Sequence, residues 1–543
     1  VDANLADCWE CIAQAIPDAP SIVQGGKRLT WGELNARASR LASTLVQAGL
    51  KRDSKVALFL FSCPEYLESS FAAFKLRATP VNVNPRYVDD ELVYILENSD
   101  SEALIFHASL GDRVARVLDR LPKVRIVIEV LDGGAGHPWA KEYESALSFE
   151  APMDPIRRSG EDVYILYTGG TTGYPKGVIW LQGDVIDGAR RAFQQMDLRP
   201  PEDVQGFGAS GRGLVMSGKV PVHLAAPPVT HGAGSLGAIH TLLMGGTVVL
   251  LEGRSFNPKE LWTAVERERV TRIVIVGDAF ARPMIEALDE ARADGRPYDL
   301  SSLRMLSNSG AMMSAGAKRS LLEHHEMTLT DGLGASEGGY GTQVATRGNV
   351  PPTGRFQMGK RVRVVGEDGK DVVPGSGQVG VLAVANRRGP VGYYKDPVKT
   401  AQLFRVIDGQ RYTVTGDHAT VEADGTIEFV GRGSQCINTG GEKVFPEEVE
   451  QAIKEHPSVT DCIVVGVPNE RWGEAVTAVV SLNADGPADA DAIKATVRRR
   501  LSGYKVPKEV VFVDQVVRNP VGKADYAWAK EAATRALKES GRA

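Results

Sequence analysis

Apolar positions along the first 300 residues alternate between two periods. In "WGELNARASRLASTLVQAG" (31–49), Leu34, Ala38, Leu41 and Leu45 recur on one helical face, and Gly49 supplies the stop. "KVALFLFS" (55–62) is a continuous apolar run and predicts a buried strand. "LESSFAAFKL" predicts a helix. "TPVNVN", "ALIFH", "RIVIEV", "DVYILYT", "TVVLL" and "RIVIVGD" predict further strands. "AIHTLLMGGTVVLL" (238–251) is the nearest approach to a membrane span, but Gly245 and Gly246 break it well short of the ~18 apolar residues a span needs. It reads as helix, tight turn and buried strand. Such alternation predicts α/β layers around mostly parallel sheets. Open parallel sheets bind ligands at the carboxyl ends of their strands, and the loop after "DVYILYT" is expected at such an end.

From about Thr342 the texture changes. "RVRVVGEDGKDVVPGSGQVGVLAV" and "ATVEADGTIEFVGRG" are short β-runs divided by Gly and Pro turns, which predicts a small antiparallel, barrel-like subdomain. After Gly433, "PEEVEQAIKEHPSV", "DCIVVGVP", "AVTAVVSL", "DADAIKATVRRRLS" and "EVVFVD" read α-β-β-α-β, a compact α+β unit. The expected division is a large N-terminal domain, 1–432, and a small C-terminal domain, 433–543. No internal repeat is evident. "LDGGAGHPW" and "GFGASGRG" are expected to be glycine-rich surface loops.

The chain has 543 residues, too many for one ordinary core. Its 43% hydrophobic and 24% charged residues are those of a globular protein, and a net charge of −5 makes no electrostatic case for nucleic acid or an anionic membrane. The five cysteines are Cys8, Cys11, Cys63, Cys436 and Cys462; this odd number in a long chain predicts a reducing compartment. Cys8 and Cys11 form a lone C-x-x-C, expected to be a chance spacing on an early helix. The first 20 residues lack the basic start and apolar core of a secretory signal. A cytoplasmic location is therefore expected.

The clearest candidate chemistry is "YTGGTTGYPKGVIW" (167–180). Thr168, Gly169, Gly170, Thr171, Thr172 and Gly173 are followed by Lys176. Amides freed by glycine, hydroxyls and a lysine suit phosphate oxygens. A plain glycine turn accounts for some of the glycines but not for the threonines beside a lysine. The common nucleotide loop needs Gly before its Lys and a hydroxyl after it; here Pro175 precedes Lys176 and Gly177 follows. Six further segments follow in order: "PPVTHGAGSL" with His231, "SNSGAMMS" with Ser309, Gly310 and Ala311, "DGLGASEGG" with Asp331, Ser336 and Glu337, "VTGDHA" with Asp417, "GRGSQCINTGGEKVFPEEVE" with Arg432 and Gly441, and "RNPVGKADY" with Lys523.

In order and spacing these segments resemble the adenylate-forming superfamily: acyl-CoA synthetases, peptide-synthetase adenylation domains and firefly-type luciferases. The resemblance spans "LTWGELNARASRLAS" to Lys523 and implies a two-step reaction. A carboxylate first attacks the α-phosphorus of ATP and expels pyrophosphate; a thiol then displaces AMP. It implies that Thr168–Lys176 holds the leaving phosphates and that Glu337 binds Mg²⁺, a hard cation suited to carboxylate and phosphate oxygens. Ser336, where the family usually has threonine, would touch the α-phosphate. Gly310, Ala311, Asp331 and Gly332 would line the adenine slot, within the nucleotide-binding stretch Ser309–Ala311 and Asp331–Ser336 that also includes Leu333, Gly334 and Ala335. Asp417 would accept the ribose hydroxyls with Arg432 assisting, although "TGDHA" by itself also fits a solvated turn. Lys523 would meet the charge developing on adenylation from a mobile C-terminal domain; a lysine in an isolated turn of this kind is usually just solvated. The position of the usual hinge residue, commonly Asp or Lys, is Ser434. His231 resembles an aromatic gate between the nucleotide and acyl pockets. It is read as positioning, not as a base, because a carboxylate is already ionised near neutral pH. His324 and His325 point different ways on a helix and are expected to be surface residues.

ATP, Mg²⁺ and CoA are the implied cofactors, and a small-molecule carboxylic acid with CoA the implied partners. A homodimer is compatible with this reading. "TGGEKVFPEEVE" and "VPNERWGEAV" resemble the CoA-ligase branch. Ala233, Gly234, Gly310, Gly332 and Gly334 would leave room for a bulky or long apolar acyl group, and no Asp near His231 resembles an amino-acid anchor. Several variants are similar to an actinobacterial-type branch that activates fatty acids or sterol side-chain acids. The alternatives are a luciferase-like oxygenase, transfer to a carrier, or a non-catalytic nucleotide-binding homologue.

Overall fold

Helix starts follow local capping chemistry. Thr30 and Glu33 form a capping box at the start of Trp31–Gln47, and Asn4 with Asp7 does the same for Leu5–Ala15. The apolar stripe of Trp31–Gln47, including Leu34, Ala38, Leu41 and Leu45, is buried as its spacing predicts. The computed structural model describes residues 2–134, 136–148, 151–168, 175–196, 198–385, 389–439, 442–469, 472–484, 486–501, 503–519 and 522–539.

The chain is a mixed α/β protein with a large N-terminal and a small C-terminal domain. Its central sheet has 15 strands. Pro20–Gln24, Thr247–Leu250, Val222–Ala225, Arg272–Ile275, Met305–Ser309 and Thr328–Ala335 lie side by side and parallel. Thr328–Ala335 then turns back on Gly338–Ala345, and every later pairing in this sheet is antiparallel. The barrel-like subdomain is thus continuous with the parallel strands. A second sheet is parallel throughout: Thr79–Asn82, Lys55–Phe59, Ser101–His107, Ile126–Val130 and Lys141–Glu142. The C-terminal sheet is built on the long hairpin Val459–Asn469 and Gly473–Leu482, flanked by Pro446–Ile453, Ala490–Arg498 and Tyr526–Glu539.

Three expectations are corrected. "DVYILYT" is not in a parallel sheet: Val163–Thr168 pairs antiparallel with Lys176–Leu181. Asn82 ties this hairpin to the second sheet, bonding both the amide and the carbonyl of Tyr167 at 2.8 Å. "GFGASGRG" is not a loop. It lies within the helix Val204–Met216, and its glycines permit close packing: a Cβ on Gly208 would lie 2.8 Å from Cys11 Sγ and 2.9 Å from the Cys11 carbonyl. His324 and His325 are half-buried and partnered, not freely exposed. His324 pairs with Asp289 at 3.0 Å and His325 Nε2 lies 2.9 Å from the Leu303 carbonyl. By contrast, the described part of "LDGGAGHPW" is loop, and Cys8 and Cys11 are buried on the first helix as free thiols. Among the described residues no helix is long and apolar enough to cross a membrane.

Candidate active site

The carboxyl ends of the parallel strands converge on one region. Gly310 follows Met305–Ser309 with φ +88°, a left-handed conformation that favours glycine. A Cβ there would lie 3.9 Å from Lys523 Cε. The lysine is therefore at the strand ends, presented by a turn of the small domain in which Asn519 Oδ1 accepts from the Lys523 amide at 3.0 Å. Gly522 (φ +75°) lets that turn approach the Val276 carbonyl; a Cβ would be 3.1 Å away. Burial first, and then the Arg432 charge, hold the Lys523 pKa below the usual lysine range, while Glu337 and Asp417 pull the other way. These three acidic and basic side chains thus surround the amine.

Asp417 begins the strand Asp417–Val421 and stands in register opposite Arg432. Arg432 Nε donates to Asp417 Oδ1 at 3.0 Å. Thr415 donates to Asp417 Oδ2, and the Tyr340 hydroxyl in turn donates to Thr415. The carboxylate is oriented from two sides and is 5% exposed. Burial and the Asp417 charge raise the Tyr340 pKa, so its phenol stays protonated.

Glu337 sits in the hairpin between Thr328–Ala335 and Gly338–Ala345. Tyr393 donates its hydroxyl to Glu337 Oε1 at 2.6 Å, with its own pKa raised by burial and by that carboxylate. Lys176 Nζ lies 5.4 Å from the centre of the same ring. The Trp180 indole donates to the Ser336 carbonyl at 3.0 Å. The strand after the glycine-rich loop is thereby joined to the Glu337 hairpin. Thr168 and Lys176 face each other in register at the base of that loop. Gly169, Gly170, Thr171, Thr172, Gly173 and Gly441 lie outside the described residues. Among the described residues no cluster of three or more His, Cys, Asp or Glu forms a metal cage. A single carboxylate steadied by a phenol fits Mg²⁺ held by one protein ligand together with substrate phosphates.

Asp331 is engaged inwardly. Lys318 Nζ donates to its Oδ2 at 2.8 Å and Asn308 Nδ2 to its Oδ1 at 2.7 Å; the Lys318 and Asp331 side chains are 1% and 4% exposed. Burial raises the Asp331 pKa, opposed by Lys318. Asn308 also accepts from the Gly277 amide at 2.5 Å and donates to the Ala311 carbonyl at 2.8 Å. It fixes three strand ends together. Gly332 stands in register with Ser309. Leu333 packs against the apolar core of the antiparallel part. A Cβ on Gly334 would meet the Gly338 carbonyl at 2.8 Å, which fits glycine at the tight base of the hairpin whose last pair is Ala335 with Gly338. His231 precedes the helix Gly232–Leu243; burial first and the Lys523 charge second pull its pKa down to about 4. It is a neutral ring near the lysine.

Tyr393, Trp180, Asn308 and Lys318 were not singled out by sequence reasoning. Asn308 lies inside the quoted "SNSGAMMS" and Tyr393 in "GYYKDP", but their partners come from strands distant in sequence.

Comparison with known proteins places the chain among relatives. The AMP-binding enzyme profile matches residues 9–394 and the AMP-binding enzyme C-terminal domain profile matches 448–523. A 3-oxocholest-4-en-26-oate–CoA ligase of Rhodococcus rhodochrous is 41% identical over 539 residues, 97% of this chain and 95% of that protein. A medium/long-chain-fatty-acid–CoA/3-oxocholest-4-en-26-oate–CoA ligase of Mycolicibacterium smegmatis is 41% identical over 541 residues, 97% and 96% of the two chains. In fold, the chain matches an anthranilate CoA ligase solved with anthranoyl-AMP, with a TM-score of 0.84 at 21% identity over 99% and 98% of the two chains.

Proposed function

The chain belongs to the AMP-binding enzyme family, and from that premise we propose how its residues divide the work of an acid–thiol ligase. It is an AMP-forming acyl-CoA ligase: it joins a carboxylic acid to ATP with loss of pyrophosphate, then transfers the acyl group to CoA with loss of AMP. The acid is apolar, a fatty acid or a steroid side-chain acid; the names of the relatives support this class. One observation carries the assignment of roles: Lys523 of the small domain stands among Glu337, Asp417 and Arg432 of the large one.

In the first step the carboxylate oxygen bonds to the α-phosphorus and the bond to the bridging oxygen of pyrophosphate breaks. No base is needed, so catalysis is positioning and charge stabilisation. Lys523 meets the charge on the entering carboxylate and α-phosphate. Its compact ammonium on a flexible stem suits a group that must later withdraw. Asp417, held by Arg432 and Thr415, accepts the two ribose hydroxyls. Thr168, Gly169, Gly170, Thr171, Thr172, Gly173 and Lys176 hold the leaving phosphates, and Ser336 the α-phosphate. Glu337, oriented by Tyr393, would hold Mg²⁺, which would supply charge neutralisation on the phosphates. Ser309–Ala311 and Gly332 flank the base, while Asp331 acts through Asn308 and the strand ends it ties. His231, neutral across the physiological range, closes the wall between nucleotide and acyl group. Gly441, with the rest of the segment after the hinge at Ser434, serves the second step once the small domain turns. The domain boundary is read at Arg432–Gly433.

The reading includes a cytoplasmic location, supported by five free thiols. It also includes a homodimer, to be tested by sedimentation. The acceptor and acid are tested by product analysis with a panel of short, long, aromatic and steroidal acids, with and without CoA. Acyl-CoA with AMP and pyrophosphate supports the reading. Light emission without CoA, or ATP binding without turnover, would replace it.

A further inference from the structure

A glutamate in a tight turn ordinarily keeps most of its rotamer freedom. Glu337 does not. Ser336 and Glu337 form the two-residue turn between the paired Ala335 and Gly338. The Trp180 indole holds that turn through the Ser336 carbonyl at 3.0 Å, and the Tyr393 hydroxyl holds the carboxylate through Oε1 at 2.6 Å. No described residue donates to the other oxygen, Oε2. Tyr393 is itself anchored. The short strand Gly392–Tyr393 pairs with Lys176–Leu181, the strand that also carries Trp180. Thr400 Oγ1 accepts from the Tyr393 amide at 2.9 Å, and the Gly177 carbonyl from the Tyr394 amide at 2.8 Å. Successive side chains leave a strand on opposite sides, and Tyr394 takes the other side. Its hydroxyl donates to Asp100 Oδ2 at 2.9 Å, and Lys123 and Lys395 hold the same carboxylate at 2.5 and 2.7 Å. Asp100 directly precedes Ser101–His107, so Tyr394 fastens the pair to the second sheet while Tyr393 faces Glu337.

A carboxylate fixed in this way restricts the cation it can take. Mg²⁺ demands near-octahedral geometry at about 2.0–2.1 Å and suits a carboxylate that offers one oxygen beside substrate phosphates. Ca²⁺ takes about six to eight oxygens at about 2.3–2.6 Å, in flexible geometry, and readily takes both oxygens of one carboxylate. Gripping Glu337 by both oxygens would compete with the bond from Tyr393 to Oε1. A hydrogen bond to an ionised carboxylate is among the stronger ones a protein makes, so that competition is costly.

We propose that Tyr393 is a cation-selecting residue: by occupying Oε1 it leaves Glu337 a one-oxygen ligand, which favours ATP carried with Mg²⁺ over ATP carried with Ca²⁺. The inference rests on the reading of Glu337 as the metal carboxylate and deepens it. Tyr393 acts through Glu337 and is a positioning residue.

The test is calorimetric binding of ATP to the full chain, with neither acid nor CoA, in chelator, in excess Mg²⁺ and in excess Ca²⁺. In the wild type ATP should bind about tenfold or more tighter with Mg²⁺ than with Ca²⁺. Tyr393→Phe keeps the ring beside Lys176 and removes only the hydroxyl. It should bring the two affinities within about threefold of each other, chiefly through a gain with Ca²⁺. Equal affinities with the two cations in the wild type would overturn the proposal without recourse to any variant. So would an unchanged ratio in Tyr393→Phe, including an equal loss with both cations, which is what a merely structural tyrosine gives. Glu337→Gln separates this failure from that of the underlying reading. If Glu337→Gln loses the cation effect while Tyr393→Phe keeps the wild-type ratio, only the selecting role of Tyr393 falls. If Glu337→Gln keeps the full cation effect, Glu337 is not the metal carboxylate and the proposal falls with it.

Discussion

Removing the Lys523 ammonium should separate the two half-reactions. In this arrangement the amine reaches the strand ends beside Gly310 and lies in the field of Glu337, Asp417 and Arg432. Unit charges about 4 Å apart, at an effective dielectric constant of about 20, interact by about 4 kcal/mol. If that interaction exists only as negative charge gathers on the carboxylate–phosphate pair, Lys523→Ala slows adenylation by about a thousandfold. Transfer of a supplied acyl-adenylate to CoA should stay within a few-fold, because in the proposed cycle that step follows withdrawal of Lys523 with the small domain. Single-turnover pyrophosphate release measures the first step, and acyl-CoA formation from synthetic acyl-adenylate the second. Equal loss in both, or adenylation within tenfold of wild type, would refute the assignment of Lys523. The lowered pKa adds a pH signature: adenylation should fall as pH rises through a point below the ordinary lysine value of 10.5, while the second step does not follow it.

Asp417→Asn leaves Arg432 without its charge partner and weakens acceptance of the ribose hydroxyls; loss of charge-assisted bonds of about 1.5–3 kcal/mol predicts an ATP KM raised by about 10–100-fold, and an unchanged KM would contradict the role. Glu447, on a helix of the small domain, has a buried Oε2 without a described partner, and burial first and Glu450 second raise its pKa from 4.5 to about 8. Between those values the folded state holds the extra proton, so stability falls as pH rises; Glu447→Gln should flatten that slope in urea melts taken across the window, and parallel slopes would refute it. Gly208→Ala forces a methyl against the Cys11 backbone and should cost about 1–3 kcal/mol of stability, read in the same melts; a neutral result would mean that the helix pair is looser than described.

Period and punctuation made most of the large domain legible. The stripe from Leu34 to Leu45 and the runs at Lys55, Thr247 and Arg272 form the elements their patterns predict, because each buries its apolar face in one step of local structure. "GFGASGRG" misled because glycine density signals a loop, whereas here the glycines let two helices approach at Cys11. The hairpin at Val163–Thr168 was not legible because an apolar run does not reveal the direction of its neighbour. Of the site, motif order pointed to Glu337, Asp417, Arg432 and Lys523. The supporting shell of Tyr393, Trp180, Asn308 and Lys318 depends on long-range register, which no local pattern encodes.

The most direct test of the account is the stoichiometry of one turnover with an apolar acid, ATP, Mg²⁺ and CoA. The account predicts one acyl-CoA, one AMP and one pyrophosphate, with acyl-adenylate accumulating when CoA is withheld. ADP and phosphate as products, or no acyl-adenylate without CoA, would contradict it.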